Sequence, residues 1–98
     1  MNPLETPLII GGHQITTEYN TGMVVDHNND GAWRPRLDQI SVYPNEPDIQ
    51  KTQVWLHEVL HAVNDIWCDS SVEHRDIEAM SQALLQILPQ IEAKVEWN

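Results

Sequence analysis

Five consecutive residues, His57-Glu58-Val59-Leu60-His61, set two imidazoles and a carboxylate in an H-E-x-x-H spacing. On a helix, residues four apart lie about 40° from each other around the axis and one turn apart along it, so both imidazoles can reach one ion. Zinc takes neutral imidazole nitrogens, and a catalytic zinc site has three protein ligands and one position left for water. Glu58 projects about 60° to the side of His61, too constrained to share the coordination point and well placed to touch that water. The chemistry this predicts is metal-assisted hydrolysis with one Zn²⁺ per chain. Zinc lowers the pKa of water toward about 7, and Glu58 takes the proton as hydroxide attacks a carbonyl, then delivers it to the leaving amine.

A third ligand must come from elsewhere. The metzincin extension is excluded, because Trp67 stands where a third histidine would be and Asn64 where a glycine would be. Two downstream carboxylates are candidates. Glu73 follows Ser70 at the spacing of a capping box, which already accounts for its presence. Glu78, between Ile77 and Ala79, lies inside an amphipathic segment where no cap requires a carboxylate. His74 is four residues before Glu78 and shares its side of the segment, so it is the remaining histidine to watch at the cleft. His13 and His27 read as surface or turn residues, and Asp65, one turn past His61, as a solvated aspartate. Asn28, Asp30 and Gly31 lack the spaced acids of a calcium loop and read as a polar turn.

The elements that must hold these groups follow from periodicity. Val54, Trp55, Leu56, Val59, Leu60, Ala62, Val63, Ile66 and Trp67 recur at helical spacing, which predicts a helix from about Asp48 to Trp67 with the motif on its polar side. Ser70 and Glu73 announce a second helix to about Leu88, with Ile77, Met80, Leu84, Ile87 and Leu88 inward and Pro89 ending or kinking it. Upstream, Leu8 to Ile10, the turn Gly11-Gly12 and the alternating His13 to Tyr19 predict a hairpin. Met23 to Val25 and Asp38 to Tyr43 predict further strands. The expected fold is α+β: a small antiparallel or mixed sheet of three or four strands in residues 1 to 46, packed on two helices and a short tail in residues 47 to 98, forming a single domain.

The run Ile77-Glu78-Ala79-Met80-Ser81 downstream of His57 to His61 resembles the gluzincins, whose ligand set is thermolysin-like. The chain looks closer still to the minimal metallopeptidases of phages and mobile elements related to the ImmA/IrrE group. The carriers are Ile10-Gly11-Gly12, then Leu56 to Ala62, then Glu78 to Leu85, in that order. The resemblance implies a zincin-like fold, peptidase activity and Glu78 as third zinc ligand, with Glu73 the runner-up. It also implies that the strand Leu37 to Tyr43 is a substrate ledge, against the reading of it as an internal strand. An oxyanion-stabilising residue is expected too, for which Tyr43, His74 and Arg75 are the candidates. Trp33, Trp55, Trp67, Trp97 and the polar turn from Asn28 to Arg36 have no counterpart in that pattern.

Composition narrows the partners. The chain has 98 residues, room for one core, and a net charge of −10, which repels phosphate backbones and anionic membranes. Nucleic acid and membrane are therefore not expected, and a peptide or protein substrate is. The single cysteine, Cys68, excludes an internal disulfide, and residues 1 to 10 lack the basic start and apolar run of a signal peptide, so the cytoplasm is the default location. The competing readings are a non-catalytic zinc-binding or partner-binding regulatory module and a metal-free acidic interaction domain. Glu58 separates the first from an enzyme, since a structural site needs ligands but no general base.

Overall fold

A computed structural model describes residues 1–20 and 30–97. Strands β1 (Leu8–Ile10), β2 (His13–Tyr19), β3 (Gly31–Arg34) and β4 (Gln39–Val42) precede helices α1 (Asp48–Trp67) and α2 (His74–Gln90). The strands form one mixed sheet in the order β1-β2-β4-β3, so the fold is α+β as the periodicity predicts. The hairpin turns at Gly11 and Gly12, whose φ angles of 55° and 85° are the left-handed pair a two-residue turn needs. Pairing Ile10 with His13 then puts Ile15 and Thr17 on the buried face.

The sheet departs from expectation in two places. Gly31–Arg34, read as part of a polar turn, is a strand paired antiparallel to β4, Trp33 opposite Ile40. Trp33 suits a pleated surface, and Pro35, which has no N–H to donate, ends the run. Second, Leu37 to Tyr43 is no edge: β4 is internal, parallel to β2 on one side and antiparallel to β3 on the other. With both of its hydrogen-bonding edges used along these pairings, β4 is not a ledge for substrate, and among the described strands β1 and β3 are the edges. The expected strand Met23 to Val25 and His27 lie outside the described residues.

The core forms where α1 lies on the sheet, uniting Ile15, Ile40, Val42, Trp55, Leu56 and Ala62. Helix α1 contacts β1, β3 and β4 on one side and α2 on another, so it is the layer between sheet and second helix. The tail closes one end: Trp97 is buried, donates from Nε1 to Thr52 Oγ1 at 2.9 Å, and stacks on Tyr19 with ring centroids 6.1 Å apart. Lys51 completes that corner, its ammonium 3.0 Å from the Tyr19 hydroxyl and over both the Tyr19 and Trp97 rings. Burial works against its charge, but Tyr19 and Asp48 outweigh it and its pKa is raised.

The end of α1 is built differently from the expected capping box. Ser70 does not cap α2; it has φ 57° and donates from Oγ to Asp65 at 2.7 Å. Asn64, expected on the polar face, is buried and clamps the connection instead, donating from Nδ2 to the Val72 carbonyl and accepting the Val72 N–H on Oδ1. Helix α2 therefore starts later, at His74, with Glu73 as its N-cap and no side-chain cap bond. Its other end runs past Leu88 through Pro89 to Gln90, where Glu92 at φ 60° lets the Ala93 N–H reach the Leu88 carbonyl at 2.9 Å, a Schellman closure. No described helix is long and apolar enough to cross a membrane.

Candidate metal centre

The late start of α2 has a chemical result: His74 becomes the first helical residue, held over α1 by the Asn64 clamp. Helix α1 supplies His57 and His61 one turn apart. His57 Nε2 and His61 Nε2 are 3.1 Å apart, close to the separation of about 3.3 Å that two imidazoles have on one tetrahedral zinc. The His74 ring centroid lies 4.8 Å from that of His57 and 5.3 Å from that of His61. One nitrogen from each of the three rings falls within 4.8 Å of the others. The donor set, three soft-enough nitrogens on two helices, fits a divalent transition metal and is not specific to zinc.

The predicted carboxylates separate into three roles. Glu78 comes to the cluster, its Oε2 2.7 Å from His57 Nδ1. Glu73 does not; it pairs with Arg75 Nε at 3.3 Å on the exposed side of α2. Glu58 stands beside the imidazoles, half-buried under β3, where the backbone N–H of Trp33 donates to it. Burial pushes the Glu58 carboxyl up to about 7, and the Trp33 hydrogen bond pulls the other way without offsetting it. Burial likewise holds the His61 imidazole below its usual range, helped by its neighbours His57 and His74 and opposed by Asp65.

His57, Glu58, His74 and Glu78 line a cleft of about 330 Å³ together with Gly31 and Val54, to which Asp30, Gln50 and Gln53 also contribute. Its roof is close. A Cβ added at Gly31 would collide with Val54 Cγ1 and stand 3.2 Å from Glu58 Cγ, so only glycine lets β3 lie this near α1. A groove of similar size, about 350 Å³, lies between Ile49, Leu85, Leu88, Pro89 and Val95; it is mainly apolar and none of the motif residues lines it.

Other sequence candidates fall outside the cleft. Tyr43 accepts from Asn45, and Arg75 lies in solvent between Glu73 and Asp76, so of the three oxyanion candidates His74 alone lines the cleft among the described residues. Asp65 is not simply solvated: it accepts from Trp33 Nε1 and Ser70 Oγ, both at 2.7 Å, and ties β3 to the end of α1. His13 pairs with Asp38 at 3.1 Å on the surface. Sequence reasoning missed Gly31 as a contact residue, although a glycine opening a run with alanine and tryptophan is the available signal for close backbone approach. The chain matches no protein-family model, no curated protein and no solved structure.

Proposed function

We propose that this protein is a zinc-dependent peptidase whose metal is held by His57 and His61 of α1 with a further donor from α2, where His74 and Glu78 both stand at the cluster. The observation that supports the reading is the meeting of three imidazoles from two helices, two of which, His57 and His74, line one cleft with the Glu58 carboxyl. When bound, zinc supplies Lewis acidity, lowering the pKa of water toward about 7 and polarising a carbonyl. The chain's own part is the proton. Glu58 accepts it from the attacking water on a carboxylate oxygen and returns it to the leaving amine, and its position under β3 keeps bulk water from competing. Trp33 N–H orients that carboxylate. A general base also favours an enzyme over a structural metal site, which would need the imidazoles alone.

Elemental analysis of protein purified without added metal is expected to find about one zinc per chain. Glu58→Gln is expected to keep that metal and to lower hydrolysis of an unfolded protein substrate by about 10²- to 10⁴-fold. Absence of stoichiometric transition metal removes the metal-dependent reading, and a Glu58→Gln variant as active as the parent removes the base.

A further inference from the structure

We infer that the centre is a three-histidine one, in which His74 is the third ligand and Glu78 is a positioning residue that holds the His57 ring through Nδ1. The assignment rests on the metal-dependent reading above and departs from the ligand set that the gluzincin resemblance implies. Its basis is which nitrogen faces what. Glu78 Oε2 is 2.7 Å from His57 Nδ1, whereas His57 Nε2 faces His61 Nε2 at 3.1 Å. A carboxylate can only accept, so Nδ1 carries the proton and donates it, leaving the lone pair of the neutral ring on Nε2. The nitrogen able to bind a metal is thus the one turned toward His61, and Glu78 stands beyond the opposite edge of the same ring.

The second oxygen of Glu78 is also engaged: Oε1 accepts from Gln82 Nε2 at 3.2 Å, one helical turn further along α2. His74 occupies the ligand side instead, with a ring nitrogen within 4.8 Å of those of His57 and His61. A carboxylate behind a ligating imidazole fixes its tautomer and orientation and raises its basicity. Charge adds a chemical consequence. Three neutral imidazoles leave the full double charge on the ion, whereas a glutamate ligand would cancel half of it, so the three-histidine centre polarises water more strongly.

The test uses the full chain as the parent protein and as His74→Ala, Glu78→Ala and Glu78→Gln variants. His74 is exposed and Glu78 is partly buried with 44% of its side chain accessible, so neither substitution empties the core. Zinc affinity is read by competition with a chromogenic chelator, and the His57 tautomer by imidazole ¹⁵N shifts of the metal-free protein. His74→Ala is expected to lose more than about 100-fold in zinc affinity, and Glu78→Ala about 10- to 100-fold, the range of an outer contact. In the metal-free protein, His57 is expected as the Nδ1–H tautomer in the parent and His74→Ala, and as a mixture in Glu78→Ala. Glu78→Gln, whose amide oxygen still accepts, is expected to restore that tautomer. Zinc loss from Glu78→Ala equal to or greater than that from His74→Ala overturns the assignment, as does a His57 tautomer indifferent to Glu78. Those results leave the metal-dependent reading intact; a parent that binds no zinc removes both.

Discussion

Burial of the Glu58 carboxyl has a thermodynamic signature that can be measured without substrate or metal. Its ordinary value of 4.5 rises to about 7 in the fold, because charging it under β3 means charging it away from water. A folded-state value above the unfolded one means that the native state holds the proton more tightly. The resulting stability is fully present below about pH 4.5 and is lost as pH rises through about 7. At about 1.4 kcal/mol per pH unit the interval amounts to about 3 kcal/mol, of which about 1 kcal/mol is already lost at pH 5 and nearly all by pH 8. Glu58→Gln carries no charge at either pH, and its amide oxygen can keep the Trp33 N–H. In urea unfolding of chelator-treated protein, the variant is therefore expected to gain about 2 kcal/mol on the parent between pH 5 and pH 8. His61 titrates in both proteins, so to first order it cancels from the comparison. Parallel pH dependences of parent and variant refute the reasoning, as does a variant that falls behind the parent at pH 8.

Trp97→Ala removes a buried ring, its stack on Tyr19 and the bond to Thr52, and is expected to cost about 3–5 kcal/mol in denaturant unfolding. Glu92→Gly relieves a left-handed residue in the α2 closure and is expected to stabilise by about 1 kcal/mol, seen as a higher melting temperature. Gly31→Val forces a side chain into Val54 and Glu58 and is expected to destabilise by about 1–3 kcal/mol, measured in the same way. Zinc at about 100 times its dissociation constant is expected to stabilise the fold by about 2.7 kcal/mol, and chelation to reverse the gain in calorimetry.

The elements whose residues speak through local periodicity were legible in the sequence. Helix α1 combines an apolar stripe with the H-E-x-x-H string, and Gly11-Gly12 marks a turn that demands positive φ. Strand β4 stood out because Ile40 and Val42 alternate with polar residues. What stayed hidden depends on partners distant in sequence. Strand β3 is four residues long and owes its conformation to β4 beside it and α1 beneath it. The parallel pairing of β2 with β4 leaves no local mark. Asn64 looked like one more polar residue, and Ser70 with Glu73 formed a plausible cap, until the left-handed Asp69 and Ser70 turned the chain another way. That reversal placed His74 at the cluster, a consequence of loop geometry that helical spacing alone leaves open.

Gly31 shows where control of such a site can lie. It bears no functional group, yet its missing side chain lets a strand lie against a helix at the point where the Glu58 carboxyl is buried. It works as a shim. Thickening it by a single methyl group would lift the roof, wet the carboxyl and lower its proton affinity, while every chemical group of the centre kept its identity. The acidity of Glu58 is in this sense a clearance tolerance, adjustable by a residue with no side chain of its own.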